Sequence, residues 1–256
     1  MKPRPYVLKE SNWKAVSKQT PKVAILPWGA TEAHNYHLPY GTDIFETEMI
    51  ANESARIAWE AGCSCIVLPI LPFGVNTTQL DIPMTINMNP STQLSVVSDI
   101  VESLEQQGVE KLVILNGHGG NDFKPIIREL QPNTDLFLCQ VAWYAIPPAE
   151  GQFDHEGDHA NEMETSLMLH MVPELVLPLE EAGEGKSKQA VLRGFREKWA
   201  WMPRPWTQVT EDTGVGNPKL ATAEKGKQHF ELMTQTISEF LVELEKKAPH
   251  QLYEKS

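Results

Sequence analysis

Lys111-Leu-Val-Ile-Leu-Asn116-Gly-His118-Gly-Gly-Asn121 decides the fold. Its Leu-Val-Ile-Leu centre does not alternate with polar residues, as a half-solvated strand would, so it reads as a strand buried on both faces. The glycines end the strand, and Asn121 to Leu130 continues with helical period. Strand followed directly by helix is half of a parallel crossover unit. Working outward, three further runs read as buried strands: Lys22 to Trp28, Ser64 to Ile70 and Asp135 to Trp143. Between them lie helical segments, Ile44 to Ala61 and Ser91 to Gln107. In the second, Leu94, Val97, Val101 and Leu104 keep a 3, 4, 3 spacing and Gly108 supplies the stop. Each strand-to-strand gap is long enough for a right-handed crossover. The expected class is α/β: three layers, with a mainly parallel sheet flanked by helices.

The 256 residues, 41% hydrophobic and 22% charged, are enough for one large core, and we read residues 1–256 as a single domain. Residues 178–218 break the rhythm, rich first in Gly, Lys and Glu and then in Trp and Pro, and read as an excursion from that domain. Leu220 to Leu244 recovers helical period and is expected to pack on the sheet. The formal charge, 22 − 34 = −12, repels phosphate backbones and anionic lipid, which excludes nucleic acid and membrane surfaces as expected partners. No secretory signal and no run of 18 apolar residues is visible. Three cysteines, Cys63, Cys65 and Cys139, form no CxxC pair, so neither a disulfide framework nor a thiolate zinc site is expected and a cytoplasmic setting fits.

Three segments carry chemistry. Gly29-Ala-Thr-Glu32-Ala-His34-Asn-Tyr-His37-Leu-Pro-Tyr-Gly-Thr-Asp43 leaves the carboxyl end of the first strand, where open α/β sheets place their sites. Glu32 and His34, two apart in an extended stretch, project to one side, and Asp43 has two oxygens able to bridge metals. A polar surface loop with Asp43 as helix cap is the plainer reading. The second is His118 among Gly117, Gly119 and Gly120, which bring backbone close to a ligand; a tight turn with a packed histidine is the alternative. The third is Asp154-His155-Glu156-Gly157-Asp158-His159-Ala-Asn-Glu-Met-Glu164. Its helix carries an apolar stripe at Ala160, Met163, Leu167, Met168 and Met171, and Glu164 falls inside it. A carboxylate on a buried face must be paired, protonated or metal-bound. His155 and Glu156 read as solvated loop.

Together these segments resemble the creatininase (creatinine amidohydrolase) family. The likeness is carried by Gly29-Ala-Thr-Glu32-Ala-His34 with Gly41-Thr-Asp43, by Asn116-Gly-His118-Gly-Gly-Asn121, by Gly157-Asp-His159-Ala with Glu164-Thr-Ser, and by Gly214-Val-Gly-Asn-Pro218. The resemblance implies a metal-dependent hydrolase with one or two divalent cations (zinc, manganese or iron). The first is held by Glu32, Asp43 and His118, the second by His34 and the bridging Asp43. It further implies a small-molecule substrate and a homo-oligomer, a hexamer in the family. Creatinine-hydrolysing members carry a glutamate two residues after the strand-end histidine, and here that residue is Gly120, which points away from creatinine. The second cation is then expected to bind more weakly than the first or to recruit Glu164 as substitute ligand, with Asp122 a weaker candidate. His37 is assigned to structure.

The expected reaction is hydrolysis of a C–N bond in a small non-peptide amide, formamide or cyclic amide. His159, oriented by Glu164, passes a proton to the leaving nitrogen. Two other readings stand beside it: ring opening of a cyclic polyol ketone by C–C cleavage at the same site, and a non-catalytic metal-binding assembly protein.

Overall fold

The computed structural model describes residues 3–253. After a one-turn helix, α1 (Trp13–Val16), the chain builds a four-stranded sheet from β1 (Val23–Trp28), β2 (Cys65–Val67), β3 (Lys111–Asn116) and β4 (Phe137–Ala142). All neighbouring strands are parallel, in the order β2-β1-β3-β4. The chain therefore steps one way from β1 to β2 and the other way from β2 past β1 to β3 and β4. Right-handed crossovers of opposite direction must cover opposite faces. Accordingly α2 (Thr42–Glu60) covers one face, and α3 (Pro90–Gln106) with α4 (Phe123–Leu130) covers the other.

Alternate strand residues serve alternate layers. Val23, Ile25, Val113 and Leu115 pack with Ile50 and Ala55 of α2, and with α5 (Glu162–Met171). Ala24, Leu26, Trp28, Leu112 and Ile114 pack with Val97, Val101, Leu104, Phe123 and Ile126. Both faces being covered, the strands show no polar alternation, which is why they read as continuous apolar runs.

Past α5 the excursion has no strand, and its helices are single turns: a 3-10 turn at Leu179–Glu181, α6 (Arg193–Arg196) and α7 (Trp206–Val209). It returns through Val215, whose backbone exchanges two hydrogen bonds with that of His159, 2.8 and 3.2 Å. The chain closes with α8 (Ala223–Lys246), capped by the Thr222 side chain, which accepts from the Lys225 amide. Met233, Ile237 and Leu241 of α8 complete the first core layer. Gly226 lets α8 approach α5 backbone to backbone, since a Cβ there would lie 1.8 Å from the Ser166 carbonyl oxygen.

The structure corrects three boundaries. β2 ends at Val67, short of Ile70, because Pro69 has no amide to donate to a ladder. α4 begins at Phe123 with Asp122 as its cap, accepting from the Lys124 amide, so the exposed Asp122 is not a metal residue. α5 begins at Glu162: Asn161 caps it, and Ala160, expected within its apolar stripe, precedes it in a left-handed conformation, φ 49°. Among the described residues no helix is long and apolar enough to cross a membrane.

His229 on α8 is fully buried beside Phe153, and neither ring nitrogen has a hydrogen-bond partner. Burial pushes its pKa down to about 4, from 6.5. The unfolded state then binds the proton more readily, so this contribution to stability is present above pH 6.5 and is lost as pH falls toward 4. Its size is about 3 kcal/mol. Urea denaturation of wild type and His229→Leu from pH 7 to 4 is expected to show wild type losing more stability than the variant. Parallel pH profiles would show that His229 is not the group responsible.

Candidate metal centre

β1 and β3 are adjacent, yet their following loops lead to opposite faces of the sheet. That divergence opens a crevice at their carboxyl ends. Three stretches converge there: the loop after β1 with Glu32 and His34, the turn after β3 with His118, and the approach to α5 with His159 and Glu164. Asp43 enters from α2. Its helix begins at Thr42 with Gly41 at the cap position, so Asp43 lies in the first turn and is not the cap. All six side chains are buried.

The donor atoms fall into interlocking triads. Glu32, Asp43 and His118 offer one atom each within 4.8 Å of one another, as do His34, Asp43 and Glu164, and Glu32, His34 and His159. Asp43 divides its oxygens between the first two, Oδ1 lying 2.9 Å from His34 Nε2 and Oδ2 lying 3.0 Å from His118 Nδ1. Glu32 Oε1 is 2.9 Å from His118 Nδ1 and 3.9 Å from both His34 Nε2 and His159 Nδ1.

Each imidazole is oriented by a main-chain carbonyl. His34 Nδ1 lies 3.2 Å from the Glu32 carbonyl, His118 Nε2 3.1 Å from that of Val75, and His159 Nε2 2.9 Å from that of Ala33. With the outer N–H donated, the inner nitrogen presents a lone pair to the cluster, the usual arrangement of metal-binding histidine. Glu32 is steadied by the Gln79 amide. Glu164 does not orient His159: it accepts from the Ala160 amide, and the Ala33 carbonyl holds the imidazole instead.

Electrostatics make the same point. Burial alone would lower the histidines, but Asp43 and Glu32 lift His34 to about 9 and His118 well above its usual range. Burial would raise Glu32 and Asp43, yet the adjacent imidazoles hold both below the usual carboxylate range. Burial raises Glu164 to about 7, and burial with the neighbouring His34 pushes His159 down to about 4. Protons thus do the work of balancing buried carboxylates. A divalent cation can displace them, and mixed imidazole and carboxylate donors suit zinc, manganese or iron. The residues fit such an ion on a further count: buried His34 Nε2 and Asp43 Oδ2 lie 2.9 and 3.0 Å from Asp43 Oδ1 and His118 Nδ1, yet neither contact has hydrogen-bond geometry.

Other residues take different places. His37 packs on α5, its Nε2 2.9 Å from Thr165 Oγ1. Glu156 is exposed and His155 half-buried. Trp206 of α7, in the Trp- and Pro-rich excursion, lies with its ring 4.6 Å from that of His159, and the Arg204 guanidinium lies 4.7 Å above it. Trp199 and Trp201 are exposed.

Position 120 is closed to any side chain. A Cβ on Gly120 would lie 2.3 Å from the Val75 carbonyl oxygen and 2.4 Å from His118 Nε2, inside the hydrogen bond that orients His118. Gly120→Ala is therefore expected to weaken cation binding roughly 10–100-fold, the usual cost of losing an orienting partner. Competition against a chelator measures this, and wild-type affinity would show that the Val75 carbonyl is not what positions His118.

The family model described as creatininase, creatinine amidohydrolase, matches residues 9–241. Among solved structures, a Bacteroides fragilis protein whose creatinine amidohydrolase assignment is itself provisional superposes with a TM-score of 0.90 at 43% identity, covering 98% of this chain and 99% of that one. Among curated relatives, the creatinine amidohydrolase of Pseudomonas putida is 26% identical over 86% of this chain and 89% of its own. The 3-dehydro-scyllo-inosose hydrolase of Thermotoga maritima is 24% identical over 88% and 78%. The mycofactocin precursor peptide peptidase of Mycolicibacterium smegmatis is 26% identical over 81% and 79%.

Proposed function

The chain belongs to the creatininase family of metal-dependent hydrolases, and from that membership we propose that it hydrolyses a C–N bond in a small non-peptide amide, formamide or cyclic amide. One observation carries the reading: Asp43 directs one oxygen into each of two triads, Glu32–Asp43–His118 and His34–Asp43–Glu164. These five residues would hold two divalent cations, with Asp43 shared.

When bound, such cations lower the pKa of a water and polarise the substrate carbonyl. His159 supplies the proton transfer. Its Nε2–H is fixed on the Ala33 carbonyl, so Nδ1 faces the centre and takes a proton from the attacking water, then returns it to the departing nitrogen. The cluster is walled from solvent, which strengthens each of these interactions. A small molecule is the matching substrate, and a hexameric homo-oligomer the assembly carried over from the family likeness.

Ring opening of a cyclic polyol ketone is the second reading, favoured by the likeness to the Thermotoga maritima inosose hydrolase. Manganese- or zinc-reconstituted protein offered formamides, lactams, short peptides and cyclic polyol ketones separates them. Amine or ammonia release from the small amides is the expected result. Turnover of the ketones alone would replace the proposal with C–C cleavage, and turnover of peptides alone would move the substrate class.

A further inference from the structure

Glu46 is a buried ionisable group that this reaction leaves unused. It lies on α2, three residues beyond Asp43 and so on the same side of the helix, and it has no exposed surface. Neither of its carboxyl oxygens has a hydrogen-bond partner. The charged groups acting on it are Glu164 and Asp43, both acids. A carboxyl group buried without any donor is costly in either protonation state, and the continuing buried stripe of α2 (Ile50, Ala51, Ala55, Ala58) shows that apolar residues suit this face. An acid placed there lacks a partner that the protein itself does not supply.

The charges identify that partner. Glu32, Asp43, Glu46 and Glu164 are four buried carboxylates in one neighbourhood, a formal −4, and two divalent cations bring +4. Without Glu46 the same two cations would leave one positive charge buried and unmatched. The triad His34–Asp43–Glu164 has three donors and Gly120 can add none; Glu46 stands outside the triad, buried one turn of α2 beyond Asp43, with Glu164 and Asp43 the charges that act on it.

We infer that Glu46 belongs to the second cation site as a further oxygen donor, completing the set formed by His34, Asp43 and Glu164. This rests on the two-cation reading above. Glu46 touches no reacting atom in this account; it sets how tightly the second cation is held.

The test uses chelator-stripped full-length wild type, Glu46→Leu and Glu46→Gln. Each is titrated with manganese(II) or zinc(II) chloride by calorimetry and melted with and without the metal. Wild type is expected to bind two equivalents. Both variants are expected to keep one tight equivalent, at Glu32–Asp43–His118, and to bind the second at least ~10-fold more weakly. Stripped Glu46→Leu is expected to melt above stripped wild type, because the unpartnered acid is gone, while gaining less from added metal. Two equivalents at wild-type affinity in both variants would overturn the inference and leave the two-cation reading standing. A stripped Glu46→Leu that melts lower and binds neither ion would also overturn it, by showing a structural role. Wild type binding fewer than two equivalents would instead remove the two-cation reading itself.

Discussion

Asp43→Ala is expected to lose both cations together. The carboxylate sends Oδ1 toward His34 and Oδ2 toward His118, so it is the residue common to the two triads proposed as cation sites. Removing a ligand private to one site would leave the other occupied, whereas removing the shared one takes an oxygen from each. Asp43 also sits in the first turn of α2 with its side chain buried, so alanine is compatible with the helix and the fold should survive. Metal analysis of purified variant is expected to fall from two equivalents to near none. Turnover is expected to fall by more than the roughly 10²–10³-fold that follows loss of one preorganised electrostatic group. Retention of one full equivalent would show that Asp43 does not bridge.

His159→Ala is expected to spare the metal and remove the proton path. The imidazole faces the cluster through Nδ1, 3.9 Å from Glu32 Oε1, and its other nitrogen is committed to the Ala33 carbonyl. Turnover should fall by about 10²–10⁴-fold, the usual scale of general acid–base catalysis, with metal content nearly unchanged. The loss should be larger for amides with poor amine leaving groups, which need the proton most, than for activated ones. Because Glu164 bonds to Ala160 and not to His159, Glu164→Gln should show a different phenotype: weaker binding of the second cation with no special sensitivity to the leaving group. Full activity of metal-loaded His159→Ala on both substrate types would end the shuttle role and leave His159 as a packing residue.

The readable parts of this molecule were those with a local signal. Continuous apolar runs mark β1 and β3 because each face of the sheet is covered by its own layer of helices, and the 3, 4, 3 spacing marks α3 because it buries one side only. Glu164 was legible as a carboxylate inside an apolar stripe. Glu46 is open to the same argument, lying one turn ahead of Ile50 on the buried side of α2. The order β2-β1-β3-β4 was not legible, since strand neighbours are chosen by crossover geometry and not by composition. Nor were the groups that orient the imidazoles: any residue carries a backbone carbonyl, so the side chains of Ala33 and Val75 give no sign of their role. The start of α5 is not legible, because Ala160 is apolar and in phase, while the Asn161 cap and a left-handed residue set the boundary.

Those carbonyls have a consequence for how such a protein diverges. Where side chains aim the donors of a centre, each aiming residue is a point at which a single codon change can misdirect it. Here the three aiming atoms are written into the course of the chain at Glu32, Ala33 and Val75, and substituting the latter two leaves the carbonyl in place so long as the loop keeps its path. The centre therefore presents a small mutational target. Lineages can rebuild the surrounding walls for new substrates while inheriting the same reactive core.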